Sequence, residues 1–225
     1  MNDGAKAYGG TVTGQPDAAS EEPQWLVWAR RLQALSQSGL HYCDDVFDRE
    51  RYEEIGRIAA QIMADHSATP AERVERFFSQ EVGYATPKTD LRAAAFRDGK
   101  MLLVRERSDG LWSLPGGWAD VGETAAACIE KEVWEEAGFR ARAVKLLALY
   151  DQRRHGARPH PFHSFKAFFL CEILEGAPRP SIETSEVAFF AEDALPELST
   201  GRVTESQLKR MFAHARNPDW PADFD

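Results

Sequence analysis

Leu114-Pro115-Gly116-Gly117-Trp118-Ala119-Asp120-Val121-Gly122-Glu123-Thr124-Ala125-Ala126-Ala127-Cys128-Ile129-Glu130-Lys131-Glu132-Val133-Trp134-Glu135-Glu136-Ala137-Gly138-Phe139 is the stretch on which the reading of this chain turns. Glu132, Glu135 and Glu136 are spaced i, i+3 and i+4, which puts three carboxylates within one ~100° arc of a helix. Ala126, Ile129, Val133 and Ala137 fall on the neighbouring arc and would press that helix onto a sheet. Three Glu on a helix are commonly a solvated face. Here a Gly-rich loop, Pro115-Gly116-Gly117, precedes them and lets backbone come close to a ligand. Gly122-Glu123 leads into the helix, and Gly138 supplies its stop. Crowded carboxylates repel one another unless a cation sits among them, and oxygen donors of this hardness suit Mg²⁺ or Mn²⁺ held jointly with substrate phosphates.

Working outward, Leu91 to Arg97 and Met101 to Arg105 flank Asp98-Gly99, a hairpin signal. Further strands are predicted near Ala143 to Tyr150, Phe162 to Cys171 and Val187 to Phe190, with a closing helix over Thr204 to Ala215. Before the linker-like residues 83–90 the period is helical. Trp25, Trp28, Leu32 and Leu35 make one apolar stripe, and Tyr52, Ile55, Ile58, Ala59 and Ile62 a second, with Asp48 as its N-cap. Thr69-Pro70 reads as an N-cap with Pro at the first helical position, ahead of Val74, Phe77 and Phe78. The expected organisation is a disordered leader (1–22), a small all-helical domain (23–82), a linker (83–90), an α+β domain with a mixed β-sheet between helices (91–218) and a C-terminal tail (219–225).

The central stretch resembles the Nudix box: Gly, five residues, Glu, seven residues, then Arg-Glu-apolar-x-Glu-Glu-x-Gly-apolar. Here Gly117, Glu123, Lys131, Glu132, Val133, Glu135, Glu136, Gly138 and Phe139 stand at those places, with only Lys131 departing, where the family has Arg. The resemblance implies the Nudix fold and hydrolysis of a diphosphate linkage, by water attack on phosphorus with a divalent metal. It makes Glu132, Glu135 and Glu136 metal ligands, with Glu132 also able to act as base, and makes Glu123 and Lys131 the groups that orient them. Lys keeps the charge of Arg but loses its planar fork, so that support is expected to be weaker. Backbone around Gly116 and Gly117 would complete the cradle. Glu186 resembles the glutamate that many Nudix proteins carry before a late strand, a second candidate base, and is otherwise a strand-end surface charge; Glu183 is the weaker candidate. The segment Tyr42 to Glu53 is similar to the helical domain preceding the box in a bacterial subfamily of CDP-choline and ADP-ribose pyrophosphatases.

Outside the box, Arg153, Arg154 and Arg158 with His155, His160 and His163 form a basic island that either contacts phosphate or base or is simply an exposed loop. Trp112 and Trp118 flank the Gly-rich loop, as core residues or as stacking partners for a nucleobase. Over 225 residues, 27 Lys and Arg stand against 36 Asp and Glu, a net charge of -9 that opposes DNA binding through a phosphate footprint. No apolar run is long enough for a membrane helix, no signal peptide is evident, and Cys43, Cys128 and Cys171 are scattered as buried thiols would be, so a cytoplasmic location is expected. Trp25, Trp28, Phe77 and Phe78 are more than three short helices can bury alone, which predicts a homodimer through the helical domain. The expected substrate is a CDP-choline-like or ADP-ribose-like conjugate, the acidic charge favouring the choline head. An RNA-end processing hydrolase and a nucleotide sensor without catalysis are the alternatives.

Overall fold

The computed structural model describes residues 22–155 and 161–225. The predicted leader, apart from its last residue, and Arg158 and His160 lie outside the described residues.

Three helices come first: α1 (Gln24–Tyr42), α2 (Val46–Asp65) and α3 (Ala71–Ser79). They close on Leu26, Ala29, Ala59, Ala60, Val74 and Phe78, with Trp25 stacked on His66 at 4.7 Å. Two predicted caps move. Asp45, not Asp48, caps α2, its carboxylate accepting from the N–H groups of Phe47 and Asp48. Pro70 itself holds the N-cap position of α3, and no side chain caps that helix. One apolar set stays outside this core. Trp28, Leu35 and Tyr42 recur every seven residues along α1 and are 55%, 58% and 69% exposed.

Among the described residues the remainder forms a seven-stranded mixed sheet with helices against it. Strands β1 (Lys88–Arg97) and β2 (Lys100–Glu106) form the predicted hairpin, with Asp98 at φ 52° and Gly99 at φ 72°, the positive pair that a tight two-residue turn demands. After β3 (Trp112–Ser113) come α4 (Ala125–Ala137), β4 (Phe139–Asp151), the short α5 (Gln152–His155), β5 (Ser164–Gly176), β6 (Thr184–Phe190), α6 (Glu205–Arg216) and β7 (Asp223–Phe224). The order is β3-β2-β1-β5-β4-β7, with β6 on β2. Strand alternation sorts the two faces. Leu91, Ala93, Ala95, Leu102 and Val104 meet Ile129 and Val133 of α4, while Ala94, Met101 and Leu103 meet Leu208, Met211 and Phe212 of α6.

Two segments read as connections are strands. β1 begins at Lys88, inside the expected linker, because Lys88 to Asp90 pair in parallel with Ser164 to Lys166. The expected C-terminal tail contains β7, which pairs with Ala148 and Leu149 of β4. Asp223 there accepts from Arg210 at 2.5 and 2.7 Å and from the Tyr150 hydroxyl at 2.9 Å, and meets His214 Nε2 at 3.0 Å. No helix among the described residues is long and apolar enough to cross a membrane.

Candidate active site

Helix α4 starts where Thr124 accepts from the N–H of Ala127 at 3.1 Å, and it stops at Gly138. Gly138 has φ 78°, and a Cβ there would lie 2.7 Å from the Ala177 carbonyl, so any other residue is both strained and crowded. The Gly-rich loop is laced to β1. Ala93 N–H donates to Pro115, Leu91 N–H to Gly117, and Ala119 N–H to the Thr89 carbonyl, all within 2.9 Å. Gly116 runs so close to β1 that a Cβ would stand 2.0 Å from the Leu91 carbonyl oxygen.

That lacing lays the loop backbone against two of the three carboxylates. Gly116 N–H donates to Glu136 Oε2 at 2.9 Å, and a Cβ on Gly117 would meet Glu132 Oε1 at 3.1 Å. Glu136 is buried, Glu132 half-buried and Glu135 exposed. Burial pushes the Glu136 carboxyl up to about 8; the Gly116 N–H and Arg92 pull the other way, and Glu132 and Glu106 add to the rise. Glu132 is raised as well, by burial first and then by Glu135 and Glu183. Burial and neighbouring carboxylates thus raise both Glu132 and Glu136 in a partly dry groove, a condition that a hard divalent cation would relieve.

Lys131 sits one residue away. Its ammonium donates to Asp120 at 2.6 Å and to Glu123 at 2.9 Å, which raises its pKa, and it acts on Glu132 only through charge. Asp120, Glu123 and Cys128 lie within 4.8 Å of one another, but Lys131 already supplies the cation between the two carboxylates. Lys131→Arg should therefore keep activity. Lys131→Met should lower it by ~10- to 100-fold, the usual cost of losing a group that orients ligands; steady-state kinetics of the two variants decide, and equal rates for Met and Lys would remove this role.

The two candidate late glutamates separate. Glu186 is exposed and ion-paired with Arg105 at 2.6 Å, its neighbour in the β2–β6 ladder. Glu183 is the one whose charge reaches Glu132, and the adjacent Thr184 hydroxyl donates to the Glu136 carbonyl at 2.7 Å, tying β6 to α4. Trp112 takes the packing alternative: half-buried, it meets Phe190 edge-on at 4.7 Å against the α6-side cluster. Trp118 is 47% exposed beside the loop. Arg153 is held by Asp151, which despite its burial stays at about 2 through that contact. Arg154 is exposed, and among the described residues no hydrogen bond or ion pair joins either arginine to the α4 carboxylates.

A group the sequence reading passed over lies beneath the loop. Asp90, Arg92 and Lys166 are all buried. Arg92 donates to Asp90 at 3.0 Å and to the Leu114 carbonyl at 3.2 Å, and Lys166 meets Asp90 at 3.3 Å. The available signal was Asp90 and Arg92 alternating on one face of an otherwise apolar strand.

Comparison with known proteins matches both parts of the chain. Residues 23–78 fit a family described as a UDP-X-like, N-terminal oligomerisation domain, and residues 86–212 fit the NUDIX domain. YjhB of Bacillus subtilis (strain 168), which carries the name of a candidate ADP-ribose pyrophosphatase, is 44% identical over 91% of this chain and 98% of its own length. A crystal structure of a UDP-X diphosphatase superposes with a TM-score of 0.59 at 32% identity, covering 89% of this chain and 98% of that one. An ADP-ribose pyrophosphatase from Streptococcus suis 89-1591 does so with a TM-score of 0.58 at 42% identity, covering 62% of this chain and 100% of that one. On its box, its fold and relatives of this similarity along nearly its whole length, the chain belongs to the Nudix hydrolase family.

Proposed function

We propose that this Nudix pyrophosphatase, with Mg²⁺ or Mn²⁺, hydrolyses a nucleoside diphosphate joined to a small moiety, of the ADP-ribose or UDP-linked type, to a nucleoside monophosphate and a phosphorylated product. The observation that carries this reading is the backbone of Gly116 and Gly117 laid against the carboxylates of Glu132 and Glu136. The names of the similar proteins support ADP-ribose and UDP-linked conjugates as substrates, beside the CDP-choline type that charge alone favours.

In this mechanism Glu132, Glu135 and Glu136 would hold the cation, which when bound would neutralise phosphate charge and make water easier to deprotonate. Glu132, half-buried and raised, takes the proton of the attacking water. Glu136 is aimed by the Gly116 N–H, and Glu183 adds negative charge that raises Glu132. Lys131 holds Glu123 and Asp120, fixing the loop that enters α4. The test is incubation with Mg²⁺ or Mn²⁺ and ADP-ribose, a UDP-sugar and CDP-choline, followed by phosphate-product analysis. A nucleoside monophosphate from one of the first two is expected. No turnover of any diphosphate conjugate would overturn the reading.

We also read the assembly as a homodimer through the helical domain. The heptad-spaced stripe Trp28, Leu35 and Tyr42, with Phe47 63% exposed at the start of α2, is apolar surface that a second copy would cover. Light scattering at micromolar concentration should give twice the chain mass, and Trp28→Glu with Leu35→Glu should halve it. A monomeric native mass would dismiss the dimer.

A further inference from the structure

A cleft of about 450 Å³ opens where the helical domain meets the Gly-rich loop, lined by Phe77, Lys88, Thr89, Trp118, Ala119 and Phe162. We propose that it is the nucleobase site of this enzyme, so that α3 of the helical domain supplies part of the base's seat. The proposal rests on the pyrophosphatase reading for its phosphate end and on separate observations for the base.

The first of these is continuity. Trp118 follows Gly117, whose backbone lies against Glu132, and its own backbone bridges to Asp90 of β1. Ala119 is held to Thr89 at 2.9 Å. The cleft therefore begins one residue, or ~3.8 Å of chain, from the carboxylate groove. A diphosphate seated in that groove would carry its nucleoside toward the cleft.

The second is surface chemistry. Phe77 and Trp118 are 41% and 47% exposed, flat apolar rings brought to one cleft from two separate parts of the chain. Phe77 is not loose: it stacks on Phe162 at 4.7 Å and 28°. A rigid aromatic platform suits a base, since every base has a π-face to lay on it. Lys88 and Thr89 offer polar atoms at the edge, as recognition of a ring heteroatom needs.

The third observation selects among ligands. A quaternary ammonium such as choline is held by several aromatic faces turned toward one point. One face of Phe162 carries Phe77, and the ammonium of Lys88 stands 4.9 Å from its ring centre. Lys88 is itself paired with Glu81 at 2.8 Å, so it is fixed there. A second cation would meet a cation already in place, whereas a neutral planar ring would not.

The test uses the full-length protein and its own tryptophan fluorescence, titrated with AMP, UMP, ribose 5-phosphate and tetramethylammonium. AMP or UMP should bind more tightly than ribose 5-phosphate, which lacks a base. Phe77→Ala should weaken nucleotide binding by roughly 5-fold or more, the range of one lost base stack, and leave ribose 5-phosphate unchanged. Phe77→Leu, which keeps apolar bulk on Phe162, should give the same loss of nucleotide binding and guards against a folding artefact. In turnover, either variant should raise KM while kcat holds. Unchanged nucleotide binding in both variants would overturn the proposal, as would tetramethylammonium binding that Phe77→Ala abolishes. Because binding is read without turnover, absence of hydrolysis would reject the pyrophosphatase reading and leave the base site to stand or fall by these titrations.

Discussion

Glu136→Gln should cut turnover by ~10²- to 10⁴-fold and at the same time make the metal-free protein more stable at pH 8. The first effect follows from losing a carboxylate that is proposed to hold the cation and is positioned by the Gly116 N–H. The second follows from linkage. Glu136 titrates at about 8 in the folded chain against 4.5 in an open one, chiefly through burial. Between those values the unfolded chain releases a proton that the folded chain keeps, so stability falls as pH rises through the window and is lowest above pH 8. Gln has no proton to lose. A tenfold change is ~1.4 kcal/mol, and relaxation of the carboxylate toward water leaves on the order of 2 kcal/mol as the expected gain at pH 8.5, with none at pH 4. Denaturant midpoints measured in EDTA at both pH values check it. A stability difference that is the same at pH 4 and 8.5 would refute the buried-carboxylate account, and full activity at limiting Mg²⁺ would refute the ligand role.

Arg92→Met should lower the melting temperature by roughly 10 °C. Breaking a buried charged group by removing one partner costs ~3–5 kcal/mol, and a chain of this size loses ~2–4 °C per kcal/mol. Here the loss leaves Asp90 with Lys166 alone, strips the Leu114 carbonyl of its donor and removes the cation that opposes the rise of Glu136. By contrast, Glu186→Gln opens an ion pair that is about half exposed on both sides, and its cost should stay below ~1 kcal/mol. Thermal melts of the two variants in parallel separate a buried charge from a surface one. A melting temperature within a few degrees of native for Arg92→Met would show that the cluster is dispensable.

The parts of this protein that could be read ahead of its structure are those set by neighbours in the chain. The Asp98-Gly99 turn, the Gly138 stop and the i, i+3, i+4 carboxylates are each local, and the sheet-facing stripe of α4 follows from the same spacing. What was missed is non-local. Lys88 looks like linker until Ser164 pairs with it, and Asp223 looks like tail until Arg210, His214 and Tyr150 converge on its carboxylate. Glu183 and Glu186 differ by three positions, and only the β2–β6 register, which sets Glu186 opposite Arg105 and begins at Thr184, tells them apart. Trp112 was ambiguous because nothing nearby in sequence announces Phe190 or Leu198.

The parallel ladder between β1 and β5 bears on how the chain comes to be folded at all. Its partners, Lys88 with Ser164 through Ala95 with Cys171, are joined by a loop that contains β2, α4 and β4. Closing so long a loop costs entropy before any of its contacts repay it, which places this ladder among the slow, late events, while the helical domain, built from sequence neighbours, can form early. Glu132, Glu135 and Glu136 become adjacent as soon as α4 coils, but Glu136 is dehydrated only when β1 and the loop laced to it arrive. The electrostatic cost of the carboxylate groove is therefore incurred when β1 and the loop close on α4, not when the helix itself forms.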